Sequence, residues 1–237
     1  MDLPDPAEVR AFGTLLLDLD GTLVEIAPTP HTVVVPGLLP GLLARLARRL
    51  DGALAILTGR PLDDLDRLLA PVRLPAAAEH GLVLRRRADG EIETVPAPEP
   101  PAHWLRAAHA LVARRPGTLL ERKRAGFAVH ARLAPEALAE IGRLLAGLVA
   151  EDPRFELLPA AMAFEVRPRG VDKGGALRSL MKEPPFVGRR PLFVGDDVTD
   201  LDAIAAARAL GGWGFRMGEA VATPADLRSW LERIANG

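Results

Sequence analysis

The stretch Leu15-Leu16-Leu17-Asp18-Leu19-Asp20-Gly21-Thr22-Leu23 decides how the chain is read. Residues 14–17 carry no charge, which is the pattern of a strand buried on both faces in a parallel sheet. The strand ends abruptly in two carboxylates, Asp18 and Asp20. A D-x-D pair also opens an EF-hand Ca²⁺ loop, but that loop needs Gly at its sixth position and Glu at its twelfth, and Gly21 is fourth. Spacing leaves a hard-cation site suited to Mg²⁺, in which one carboxylate is free to act as a nucleophile.

Downstream, Pro28 and Pro30 between short apolar pieces predict a flap or hairpin over residues 24–35. Leu39, Leu42, Leu43, Leu46 and Leu50 follow helical spacing, and Asp51-Gly52 stops that helix. The apolar run 53–57 ends in Thr58-Gly59-Arg60, and Pro61 then opens a helix with Asp63 and Asp64 in its first turn. Strand, helix, strand, helix is the signature of a right-handed parallel α/β sheet.

The pattern changes near Arg85. Arg85-Arg86-Arg87-Ala88-Asp89-Gly90 and the prolines of 96–101 read as a turn and a linker, followed by a helix carrying Trp104, Leu105, Ala108, Leu111 and Val112. Two alternating strands follow, with a helix between them. Phe127, Val129 and Ala131 share one face and Ala128, His130 and Arg132 the other; Met162, Phe164 and Val166 likewise oppose Ala163, Glu165 and Arg167. The polar face suits sugar hydroxyls and a phosphate, or is an ordinary solvated sheet face; periodicity does not separate the two. The α/β pattern resumes near Val171. Asp172-Lys173-Gly174-Gly175 leads into a helix, residues 191–194 form a strand ending in Gly195-Asp196-Asp197-Val198-Thr199-Asp200, and a last helix is capped by Thr223 with Pro224 and Asp226 behind it. These segments predict a Rossmann-like parallel-sheet core, residues 1–85 and 169–237, with an inserted smaller α+β cap domain, residues 86–168.

At 237 residues with 49% apolar content, the chain can bury a sizeable core. The formal charge of −1, with basic residues spread along the chain, gives no footprint for nucleic acid. No apolar run approaches the roughly 20 residues that span a bilayer, and the N-terminus lacks the basic start and apolar centre of a signal peptide, so a cytoplasmic location is expected. The absence of cysteine excludes disulfides, thiol nucleophiles and zinc–thiolate sites.

Open parallel sheets bind ligands outside the carboxyl ends of their strands. Here those ends carry Asp18 and Asp20, Thr58, and Asp196, Asp197 and Asp200, with Lys173 opening a helix just before the last group. Taken together, these motifs resemble the haloacid dehalogenase superfamily of phosphotransferases. More narrowly, Asp18 to Leu23, Leu57-Thr-Gly-Arg60, Glu79-His-Gly81, Glu165 to Lys173 and Gly195 to Asp200 are similar to the trehalose-6-phosphate phosphatase family, along nearly the whole chain. One position departs: the family usually has Glu after Thr-Asp, where this chain has Leu201.

The resemblance implies a phosphoric monoester hydrolase acting on a small-molecule sugar phosphate with Mg²⁺ as cofactor, and a monomer is expected. Mg²⁺ would be held by Asp18, the Asp20 carbonyl and Asp196. Asp18 would attack phosphorus, Asp20 would act as general acid and then general base, and Thr58 and Lys173 would complete the catalytic set. Asp197 and Asp200 would orient the metal's waters or Lys173. Lys123, His130, Arg132 and Glu165 of the cap would approach the sugar. Arg60 either touches substrate or caps a turn; Glu79, His80 and Thr22 read as structural. Other substrates within the superfamily are mannosyl- or glucosyl-phosphoglycerate and sucrose phosphate. A non-catalytic sugar-phosphate sensor is the remaining alternative, although pure binding needs no nucleophile beside an acid.

Overall fold

The computed structural model describes residues 3–237. In chain order, its first elements are α1 (Pro6–Phe12), β1 (Gly13–Leu17), α2 (Leu39–Arg49), β2 (Leu54–Leu57), α3 (Leu62–Leu69), β3 (Ala76–Ala78), β4 (Val83–Arg85) and β5 (Ile92–Thr94). The middle holds α4 (Ala102–Arg114), β6 (Leu119–Arg122), β7 (Phe127–His130), α5 (Leu138–Val149), β8 (Phe155–Ala160) and β9 (Ala163–Pro168). The last part holds α6 (Lys173–Leu180), β10 (Arg190–Gly195), α7 (Leu201–Ala209), β11 (Trp213–Arg216) and α8 (Pro224–Asn236).

The described residues form two compact units, one of 3–27, 31–95 and 172–237 and the other of 28–30 and 96–171. The first unit is built on a seven-stranded sheet of order β11-β10-β1-β2-β3-β4-β5. The five strands from β11 to β3 run parallel, and the hairpin of β4 and β5 adds two antiparallel strands at one edge. β1 is central and wholly buried, as its uncharged run dictates. α2 buries Leu39, Leu42, Leu43 and Leu46, one stripe of a 3.6-residue period, and the chain turns just past its end at Asp51 and Gly52, both with positive φ. α8 begins with a capping box in which Thr223 and Asp226 satisfy each other's backbone N–H groups.

Two segments differ from the sequence reading. Residues 24–35, read as a flap or hairpin, hold a 3-10 turn, Pro30–Thr32, and no pair of strands. The compact units divide after residue 95, where the sequence reading opens the cap at residue 86. Arg85 ends a core strand and points inward, where its guanidinium donates to both Asp66 carboxylate oxygens at 2.6 Å and to the Leu74 carbonyl at 2.9 Å. A fully paired arginine can be buried, which a polarity pattern does not foresee.

The second unit carries a four-stranded antiparallel sheet of order β6-β7-β9-β8, two strands more than the alternation revealed. Phe127, Val129 and Val166 face α4 and α5 in a core with Trp104, Leu111, Ile141, Leu145 and Phe155. The other face carries the polar set.

Candidate active site

In the first unit the carboxyl ends of β1, β2 and β10 place their acidic and hydroxyl residues as open α/β sheets place ligand groups. Asp18 follows β1, its N–H bonded to the Val194 carbonyl of β10 at 3.0 Å. One Asp18 oxygen accepts from Lys173 Nζ at 2.7 Å, the other from Thr22 Oγ1 at 3.2 Å. Lys173 opens α6, a helix capped by Asp172, whose side chain accepts from Gly175 N–H at 2.7 Å. The ammonium also donates to Asp200 Oδ1 at 2.6 Å, and Asp200 Oδ2 accepts from the N–H groups of Asp196 and Asp197, each at 3.0 Å. Asp200 is thus fully enclosed and fully bonded, bridging Lys173 to the turn that carries Asp196.

Glycines let these groups approach one another. Gly21, at φ 75°, lies so close to Asp196 that a Cβ would stand 2.0 Å from Asp196 Oδ2. A Cβ on Gly195 would stand 2.3 Å from Asp200 Cγ. Leu201, at the position where the resemblance leads one to expect Glu, is 45% exposed and supplies no donor.

The electrostatics follow from this crowding. Burial pushes the Asp18 carboxyl well above the ordinary carboxylate range; Asp200 and Asp196 add to the push, and Lys173 opposes it. Asp196 is pushed up to about 7, first by burial and then by Asp200 and Asp197. Burial disfavours the Lys173 ammonium, yet Asp18 and Asp200 together hold its proton more tightly than usual.

Ligand-capable oxygens of Asp18, Asp196 and Asp200 all lie within 4.8 Å of one another. The donor set is entirely oxygen, as a hard divalent cation prefers, and the raised values of Asp18 and Asp196 mark an excess of buried negative charge that such a cation relieves. The residues therefore fit a cation.

Asp20 turns its side chain to Arg60, which donates to both its oxygens, from Nε at 2.6 Å and from Nη2 at 2.7 Å. Thr58 is buried, and its Oγ1 accepts from Arg60 N–H at 3.1 Å. Thr58 is thereby linked to Asp20 through Arg60. Asp197 Oδ1 accepts from Val198 N–H at 2.6 Å and caps the following turn.

The second unit assembles its own polar cluster. Lys123 Nζ donates to Glu165 Oε2 at 2.7 Å, with both side chains about nine-tenths buried. His130 Nε2 meets Glu121 Oε2 at 2.7 Å. Glu121, Ala128 and Glu165 lie opposite one another across β6, β7 and β9, the small Ala128 in the middle leaving room between the two acids. Arg132 donates to the Ala161 carbonyl at 3.2 Å at the rim. Burial raises Glu121, but the His130 hydrogen bond and the Lys123 charge outweigh it and hold the group below its ordinary value. Sequence reasoning passed over Glu121. The signal was its placement two residues before Lys123, which puts both on one side of an extended segment.

Comparison with known proteins places these geometries. The family model described as trehalose-phosphatase matches residues 16–221. The trehalose-6-phosphate phosphatase of Escherichia coli (strain K12) is 38% identical over 240 residues, 98% of this chain and 90% of that protein. Among solved structures, the C-terminal domain of Candida albicans trehalose-6-phosphate phosphatase superposes with a TM-score of 0.84 at 20% identity, covering 97% of this chain and 94% of that one. A haloacid dehalogenase-like hydrolase from Bacteroides thetaiotaomicron superposes at 0.64 with 17% identity, covering 94% and 99%. Both structural likenesses show the haloacid dehalogenase-like fold.

Proposed function

The chain belongs to the trehalose-phosphatase family, and on that premise we propose that it hydrolyses trehalose 6-phosphate to trehalose and phosphate through an aspartyl-phosphate on Asp18. The observation that carries the reading is the Lys173 ammonium, bonded at once to Asp18 and Asp200 in a buried cluster with Asp196 beside it.

A phosphate dianion repels a carboxylate nucleophile, so the site needs positive charge next to Asp18. Lys173 supplies one charge, and its two acidic partners keep it protonated. Mg²⁺ held by Asp18, the Asp20 carbonyl and Asp196 would supply the rest by neutralising phosphoryl oxygens. Asp18 attacks phosphorus in line, and the bond to the sugar oxygen breaks. With Arg60 drawn from Asp20 to the phosphoryl group and Asp20 protonated from solvent, Asp20 would give that proton to the departing oxygen, then take one from the water that cleaves the acyl phosphate. Thr22 and Lys173 fix the two Asp18 oxygens, so the nucleophile is oriented before substrate arrives. Thr58 Oγ1 offers its proton to a phosphoryl oxygen, and the Arg60 guanidinium, which pairs with a carboxylate here, matches a phosphate equally well. In the second unit, Lys123, His130, Arg132 and Glu165, with Glu121 added, offer the mixed donors and acceptors that sugar hydroxyls require.

The test is phosphate release with Mg²⁺ over a panel of phosphorylated sugars, for the protein and its Asp18→Asn form. We expect release from trehalose 6-phosphate by the unaltered protein and a loss of about three orders of magnitude or more in the variant. Equal release by both removes the covalent mechanism. Silence toward trehalose 6-phosphate alongside turnover of another sugar phosphate moves the substrate.

A further inference from the structure

The Glu79-His80-Gly81 turn is the motif that the proposed chemistry leaves unused. Its three residues have φ of 47°, 58° and 107°, and both side chains are buried. Left-handed backbone is unfavourable for residues with a Cβ, and turns that need it ordinarily use Gly or Asn. Here Glu and His adopt it in succession, in the connection between the antiparallel strands β3 and β4. Strain of this kind persists where the surroundings impose it, often beside a functional site.

The turn touches the supports of two proposed catalytic groups. On one side, Glu79 N–H donates to the Arg60 carbonyl and His80 N–H to the Thr58 carbonyl, both at 3.0 Å. The edge of the His80 ring lies so close to Gly59 that a Cβ there would stand 2.7 Å from both Cε1 and Nε2. On the other side, Gly81 lies against the first turn of α6. A Cβ on Gly81 would stand 2.8 Å from Ala176 Cβ and 3.1 Å from the Asp172 carbonyl oxygen. Lys173 is the first residue of that helix.

We propose that this turn is a positioning wedge: the His80 ring sets the Thr58-Gly59-Arg60 loop while Gly81 seats the start of α6, so that the Thr58 hydroxyl and the Lys173 ammonium keep fixed places relative to each other. His80 acts through Thr58 and is a positioning residue. The inference rests on the phosphatase reading for its kinetic consequence but not for its structural one.

The experiment compares the unaltered protein with His80→Ala, Gly59→Ala and the double variant, on trehalose 6-phosphate and on a small generic phosphate ester. His80→Ala should lower kcat on both substrates about tenfold or more with KM changed by less than about threefold, a split that lost stability alone does not produce. Gly59→Ala, which drives a methyl into the ring, should lose more, and the double variant should regain part of that loss because the ring is gone. His80→Asn, which tolerates left-handed backbone, replaces His80→Ala if the latter does not fold. A kcat within about twofold of the unaltered protein, or a double variant no better than Gly59→Ala, overturns the wedge. If the unaltered protein releases no phosphate, the functional reading fails by itself, and amide hydrogen exchange then decides. The wedge requires faster exchange at both Arg60 and Ala176 in the His80 variant; faster exchange confined to residues 79–81 overturns it.

Discussion

Glu165 and Lys123 form a nearly buried ion pair in the second unit, and Glu121 lies close enough for its charge to feel Lys123. Removing one member of a buried pair leaves the other charge uncompensated, a penalty of about 3–5 kcal/mol when no second partner is present. Glu121 softens that penalty here, so Glu165→Ala should remain folded. We predict that it lowers kcat/KM for trehalose 6-phosphate at least about tenfold more than for a small phosphate ester. Parallel losses on both substrates would show that Glu165 does not read the sugar. At this scale, what the sequence made legible is the placement of Asp18, Thr58, Lys173 and Asp196 at strand ends or a helix start. Of the two acids expected to orient the metal's waters or Lys173, Asp200 is bonded to Lys173 and Asp197 caps the turn that follows it. That Asp20 meets Arg60 was not legible, since the pair is separated by 40 positions and meets only when β1 and β2 lie side by side.

At the scale of elements, the capping box of α8 is a local device with a local cost. Thr223 accepts from Asp226 N–H at 3.2 Å and donates to its carboxylate at 2.7 Å. Thr223→Ala should cost about 1 kcal/mol of stability, seen as a lower Tm, and leave phosphate release at the permissive temperature unchanged. An unchanged Tm would mean that packing of Leu227, Trp230, Leu231 and Ile234 alone fixes the start of this helix. α2 and α8 were legible because a helix writes its buried stripe and its caps within one short stretch. The edge hairpin of β4 and β5 was not, since β5 is exposed throughout and its residues carry no alternation to detect. β6 and β8 were missed for a related reason: most of their residues are only half-buried, so neither shows a clear two-residue period.

For the whole molecule, the buried acids tie stability to pH and to cations. Asp196, raised from 3.8 to about 7, binds protons more tightly in the folded protein than in the unfolded chain. Between those values the folded state holds more protons, so this group's contribution to stability falls as pH rises. With a chelator present, Tm should fall relative to that of Asp196→Asn between pH 5 and about pH 7, and added Mg²⁺ should reverse the fall at the upper end by binding the ionised cluster. A difference between the two proteins that grows in favour of the unaltered chain as pH rises, without Mg²⁺, would refute this account. Among the described residues no helix is long and apolar enough to cross a membrane.

By itself the sequence determined the parallel α/β core, the mixed α/β insert and the family, because uncharged strands ending in acid, helical leucine stripes and spaced motifs are properties of short stretches of chain. Only the tertiary structure decided that Lys173 bridges Asp18 and Asp200, that Arg60 clasps Asp20, that Arg85 is buried against Asp66 and that a left-handed turn lies against both Gly59 and α6. Such pairings join residues far apart along the chain, and their strength depends on burial and close approach, which arise when strands and helices pack.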